Sequence, residues 1–268
     1  MTAFRASLIL ACIGVVISSL EYIAIASEFR PSGIFSWRVM GSRPEIAKLN
    51  SMFGDTTFLF GYKSILILHN ARLLCCLVLP WLSNAQLVRL LLLSFVALTS
   101  LLLSFRTPVS GDGADQMSMI VFFGLAAFGL ADNGLLRVVS LVFIAAQSVL
   151  SYVVAGVAKA LSPKWRSGIA LREIFNTRSY GQESIARSLN AAPSSVNVML
   201  CWFVILAEIN FALLFVLPAQ WCLLILGLGV MFHVINAIVM GLNTFVWSFL
   251  ATYPCVLFVN QLLVLPRH

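Results

Sequence analysis

Apolar runs, each close to twenty residues long, alternate along the chain with short polar breaks. A helix rises 1.5 Å per residue, so about twenty apolar residues cross a bilayer core of roughly 30 Å. The pattern predicts about seven or eight spans: Ala6–Ser27, Ser64–Leu82, Gln86–Phe105, Met117–Ala131, Leu135–Leu161, Val196–Leu217, Gln220–Gly241 and Thr244–Leu265. The fourth is short for a full crossing and the second carries Arg72, so these two fit least well. No segment alternates apolar and polar positions over the roughly ten residues a barrel strand needs. Backbone groups in lipid must pair within their own segment, so helices follow. The expected fold class is all-α: a polytopic transmembrane helix bundle, residues 1–268 forming one integral membrane domain. The runs differ in length and show no fixed repeat, unlike the inverted halves of many transporters.

Two polar stretches interrupt the apolar pattern. Residues 28–63 contain "EFRPSGIFSWRVMGSRPEIAKLN", and residues 163–195 contain "PKWRSGIALREIFNTRSYGQESIARSLN". Both hold amphipathic fragments of the kind that lie in the membrane interface or pack over helix ends. With eight spans they fall on the same side and are expected to cap one mouth of the bundle. Arg5, the apolar run after it and "AIAS" at Ala24–Ser27 have the layout of a signal peptide with a small-residue cleavage site. That run is read here as an uncleaved first span.

Composition agrees with the span pattern. Of 268 residues 60% are hydrophobic and 10% charged, against about 25% charged in a soluble domain. Eleven lysines and arginines fall on the loop-rich side and four, Arg5, Arg89, Arg137 and Arg267, on the other. The positive-inside rule then makes the loop-rich side cytoplasmic. The net charge of +7 suits anionic lipid headgroups. Nucleic acid is not an expected partner, because no basic run is interleaved with aromatics. All six cysteines sit in apolar runs and read as small buried hydrophobes. No C-x-x-C, phosphate-binding loop, nucleophile elbow or H-E-x-x-H is present, so neither a metal nor a nucleotide is expected.

Polar side chains within spans are costly, so they are the functional candidates. Lys159 stands three, seven and eleven residues after Gly156, Tyr152 and Ser148, which places one polar and small face along that helix. Glu208 sits mid-span in "CWFVILAEINFALLFVLP", and His233 has Asn236 one turn on in "VMFHVINAIVMGLNTF". A carboxylate at that depth needs a cation or a proton, and Lys159 and His233 are the available partners. Each has a plainer reading. Lys159, four residues before Pro163, suits a snorkelling anchor, and a lone intramembrane histidine commonly bonds one helix to another. "GDGADQ", Gly111 to Gln116, suits a turn whose Asp115 favours a helix N-terminus. Trp165 and Tyr253 suit an aromatic belt.

"YVVAGVAKALSPKWRSGIAL" resembles the Y-x-x-x-G-x-x-K pattern, followed by Trp and Gly, of vitamin K-dependent γ-glutamyl carboxylases. "HVINAIVMGLNTFVWSFLATYP" looks like a later helix of that family, opened by a histidine. The wider group is the HTTM superfamily. "GDGADQMSMIVFFGLAAFGLADN" is similar to its bacterial branch, in particular the sporulation-delaying-toxin maturation protein B family. The resemblance covers roughly Ala71 to Tyr253. It implies that Lys159 matches the proposed base that deprotonates reduced vitamin K and that His233 matches the histidine of the later helix. With the mid-span carboxylate Glu208 they are expected as a catalytic set lining one cavity. Tyr152, Gly156, Asn236, Asp115, Gln116 and Trp165 would then be substrate-binding. It also implies a reduced quinone of the vitamin K or menaquinone type as cofactor. Carboxylases carry a substantial lumenal domain that helps recruit the protein substrate, and no segment of these 268 residues corresponds to it.

Three functions fit this reading. The first is a bacterial inner-membrane protein that processes or modifies a small secreted peptide, as in bacteriocin or toxin maturation, with a separate partner subunit. The second is a stand-alone quinone-dependent carboxylase or oxygenase with Lys159 as base. The third is non-enzymatic: a membrane scaffold, immunity protein or exporter whose intramembrane polar groups only hold helices together.

Overall fold

The computed structural model describes residues 2–44, 46, 54, 56–106 and 113–264. Among them there is no strand, and eight helical segments are long and apolar enough to cross a membrane. The chain is therefore a multi-pass all-α membrane protein. By internal contacts it divides into two compact units, Met1–Ser140 and Leu141–His268. Lys48, Arg267, Gly111 and Asp112, used in the charge and turn readings, lie outside the described residues.

The first unit contains α1 (Thr2–Ala24), α2 (Tyr62–Val78, extended by a 3-10 turn at Leu79–Trp81), α3 (Gln86–Arg106) and α4 (Gly113–Leu130). Helix α1 packs on α2 and α4, and α3 packs closely on α4. Helix α3 shows the helical period directly. Leu87, Leu91, Leu98 and Phe105 face outward, while Leu93, Val96 and Ala97 are sealed inside. The N-terminal run packs as a full helix in this unit, with Phe4 stacked on Phe128 of α4 at 4.4 Å. The fourth span begins at Gly113, earlier than hydropathy alone places it, because Asp115 falls in its first turn. A carboxylate there faces the free amides and the positive end of the helix dipole.

Described residues of the first polar stretch gather around one side chain. Arg106, at the last residue of α3, is 0% exposed. Its guanidinium lies 5.4 Å from the Phe29 ring and 5.3 Å from the Trp37 ring. Its Nε donates to the Phe60 carbonyl at 3.0 Å, and its Nη2 donates to the Phe35 carbonyl. Arg43 returns the connection by donating to the Phe105 carbonyl at 3.0 Å. A planar five-donor fork between two aromatic faces organises backbone that has no helix to satisfy it.

The second unit holds most of α5 (Gly134–Leu161), then α6 (Ser194–Ile209, continued as a 3-10 segment Asn210–Phe215), α7 (Ala219–Met240), α8 (Asn243–Leu250) and α9 (Tyr253–Val264). Prolines set its boundaries. Pro193 and Pro218 immediately precede α6 and α7, and Pro163 follows the end of α5. The last span, expected to be continuous, is broken at Ala251–Thr252, where Pro254 removes an amide from the ladder. The second polar stretch forms three short helices, Pro163–Arg166, Ile169–Phe175 and Glu183–Ala191. The last is amphipathic, burying Ala186 and Leu189 and exposing its charges.

Replacing Arg106 with leucine leaves the Phe35 and Phe60 carbonyls without their donor. The expected loss is about 3 kcal/mol, two charge-assisted hydrogen bonds at about 1.5 kcal/mol each. A lowered unfolding midpoint of the purified protein in detergent is the readout, and an unchanged midpoint would show that the aromatic packing alone holds the segment.

Candidate functional site

The polar face expected on α5 is realised, and each of its residues meets a different element of the second unit. Ser148 Oγ is hydrogen-bonded to Thr252 Oγ1 at 2.7 Å, at the break between α8 and α9. Tyr152 reaches His233 of α7 and Tyr253 of α9. Gly156 lies against Glu208 and Ile209 of α6, and Lys159 pairs with Glu208. The spacing of four, four and three keeps all four positions on one side of the helix.

Lys159 donates to both carboxylate oxygens of Glu208, at 2.8 and 2.7 Å. The Lys159 side chain is 22% exposed and that of Glu208 8%. Trp165 completes the setting, its ring centroid 5.3 Å from Lys159 Nζ. The approach depends on Gly156. A Cβ there would lie 2.8 Å from Ile209 Cγ1 and 3.0 Å from both Glu208 Cβ and the Ile209 amide nitrogen. The absence of a side chain lets α5 and α6 come near enough for the lysine to reach the carboxylate, as small residues do in packed membrane helices.

The second group lies around Tyr152. Its hydroxyl is 2.5 Å from His233 Nε2 and 2.8 Å from the Tyr253 hydroxyl. The Tyr152 ring stacks on Phe211 at 3.6 Å, and the His233 ring stacks on Phe249 at 4.6 Å. All three polar members are buried, and His233 Nδ1 has no hydrogen-bond partner. Gly229 provides room on α7, since a Cβ there would come within 2.6 Å of Phe211 Cζ and would collide with the Tyr253 hydroxyl. Beside this group is a cavity of about 230 Å³, lined among others by Tyr152, Asn210, Phe211, Gly229 and Phe232.

The expected residues thus form two sets in the second unit. Lys159, Glu208, Gly156 and Trp165 make one; Tyr152 and His233 make the other, joined by Tyr253, which hydropathy suggested was a belt aromatic. No described hydrogen bond links Lys159 or Glu208 to His233, and the cavity wall carries Tyr152 but none of these three. Asn236 is half-buried, and its carbonyl accepts the Leu242 amide at 3.4 Å in the turn after α7. Asp115 and the exposed Gln116 belong to the first unit, at the start of α4. Tyr253 had a readable signal: it stands one residue before a proline, where a span must bend and its side chains turn inward.

Chemically, the first set is a nearly buried ion pair and the second an uncharged hydrogen-bonded chain. Removing one partner of a buried pair strands the other charge and typically costs 3–5 kcal/mol, whereas replacing both with apolar residues is often neutral. Glu208→Leu alone is therefore expected to destabilise by about 3 kcal/mol. The double variant Lys159→Met, Glu208→Leu should recover most of that loss, as a double-mutant cycle of unfolding midpoints will measure.

Comparison with protein-family models, with curated proteins and with solved structures finds no match to this chain.

Proposed function

We propose that this multi-pass membrane protein processes or modifies a small secreted peptide, with Lys159–Glu208 and Tyr152–His233–Tyr253 as its working groups and with a separate partner subunit. The observation that carries the reading is the concentration of five hydrogen-bonding side chains on facing helices of one unit, inside segments otherwise made of lipid-soluble residues. Structural needs alone are met more cheaply by hydroxyls bonded to their own helix, as Ser140 is to the Leu136 carbonyl at 2.9 Å. A lysine and a carboxylate held within a span mark a site by default. The resemblance to the HTTM superfamily, and to its bacterial toxin-maturation branch, supplies the peptide.

The cavity favours a second reading, a quinone-dependent carboxylase or oxygenase. Its volume of about 230 Å³ is below the 300–1,000 Å³ usual for ligand pockets. That is too small for a folded peptide and suited to a single fused-ring headgroup. Its wall is mostly apolar, with the Tyr152 ring on one side. In this reading the ring enters from the lipid and the Tyr152 hydroxyl exchanges a hydrogen bond with its oxygen, with His233 holding that hydroxyl from the other side.

Mass spectrometry of peptides secreted by the native host tests the first reading. A peptide is expected to lose a cleavage or a covalent mark both in a deletion strain and in the double variant Lys159→Met, Glu208→Leu, whose fold is retained. Unchanged peptides in that variant, with the protein present in the membrane, would reduce the pair to a helix-to-helix tie. Solvent extraction of the purified protein addresses the second: one quinone per chain, lost in Gly229→Leu, is its expected outcome.

A further inference from the structure

The first unit contains a polar cluster that neither reading uses. His69 and Arg72 stand three residues apart on α2, on one face, and are 2% and 7% exposed. Arg72 lies ten residues from Tyr62 and nine from Trp81, the ends of the span. At 1.5 Å per residue that is roughly 15 and 14 Å, near mid-depth.

Its guanidinium is held by neutral acceptors of α3. Nη1 donates to the Val96 carbonyl at 3.2 Å, to Thr99 Oγ1 at 2.9 Å and to Ser100 Oγ at 3.0 Å. Both hydroxyls give their own hydrogens to backbone carbonyls, Thr99 to Phe95 at 2.7 Å and Ser100 to Val96 at 2.8 Å. They are thus oriented as acceptors, yet neither brings a negative charge. No described carboxylate forms an ion pair with Arg72, and its Nε has no hydrogen-bond partner. Asp115, in the first turn of α4, acts on it only across space. Beside it, His69 stacks on Tyr22 at 4.4 Å, and both its ring nitrogens are unpartnered.

Guanidinium keeps its charge under all ordinary conditions. A full charge at mid-span, bonded through Nη1 to neutral groups and unpartnered at its buried Nε, is arranged to meet an anion. We propose that the α2–α3 seam binds one small monovalent anion at Arg72, with His69 as the second donor. This site is independent of the second unit and of the function assigned to it. Depth selects the ligand class: lipid phosphates sit in the interface, roughly 15 Å away, so the partner is an anion able to enter the apolar layer. A halide has that property, and so does the carboxylate of a membrane-soluble amphiphile.

The full chain, purified in detergent in sodium gluconate, is titrated with sodium chloride in one series and sodium oleate in another, and its unfolding midpoint followed. At about a hundred times the dissociation constant a bound anion should raise the midpoint by about 5 °C. A rise with chloride alone identifies a halide site, and a rise with oleate alone a carboxylate site. Arg72→Gln keeps a donor for Thr99 but no charge, and should abolish the rise, while the exposed Arg5→Gln should retain it. Equal wild-type midpoints in all three salts overturn the proposal whether or not the variants fold. The same rise in Arg72→Gln also overturns it.

Discussion

The backbone and most described polar side chains within the spans are placed under one constraint: hydrocarbon offers them nothing, so a partner must come from another part of the protein. Helices meet that demand for the backbone, and the structure becomes distinctive wherever a helix stops. At the end of α3 the Phe35 and Phe60 carbonyls turn to Arg106. At the break before α9 Thr252 bonds both to Phe249 and to Ser148. Where α6 narrows to a 3-10 segment, Asn260 of α9 donates to the Leu214 and Leu217 carbonyls at 2.7 and 2.8 Å. Each of these side chains is buried and polar, and each repairs a place where the ladder of hydrogen bonds is interrupted.

The two units use their charged residues differently. In the second, Lys159 and Glu208 neutralise each other across a seam that Gly156 makes narrow. In the first, Arg72 and Arg106 have only neutral hydrogen-bond partners among the described residues: hydroxyls and a carbonyl for one, carbonyls, beside aromatic faces, for the other. A mutual pair fixes the register of two helices. An arginine among neutral acceptors fixes position as well, while its positive charge stays available to something else.

The spans were legible in the sequence because crossing a bilayer requires length and apolarity, and both are local properties. The face of α5 was legible for a related reason, since Ser148, Tyr152, Gly156 and Lys159 are spaced by the helix itself. The pairing of Lys159 with Glu208 followed from charge economy inside lipid. Other features depended on residues far apart in the chain. Arg106 looks like one more loop cation until Phe29, Phe35, Trp37 and Phe60 gather around it, from 46 to 71 positions away in its two hydrogen bonds. His69 and Arg72 gain significance only from α3, and Tyr253 only from Tyr152, 101 positions away. The break in the last span was marked by Pro254, but hydropathy passes over a proline that periodicity would have stopped at.

The Tyr152 hydroxyl touches both His233 and Tyr253, yet it carries a single hydrogen. It can therefore donate to only one of them, and must accept from the other. When it donates to His233 Nε2, the imidazole hydrogen resides on Nδ1 and Tyr253 donates inward. When Nε2 carries the hydrogen instead, Tyr152 turns toward Tyr253, and Nδ1 becomes a bare lone pair facing no partner. The tautomer of His233 and the direction of both hydrogen bonds are thus one variable with two settings. Whatever meets either end of this chain, at Nδ1 or at the Tyr253 hydroxyl, selects the setting for all three residues at once, without moving a heavy atom.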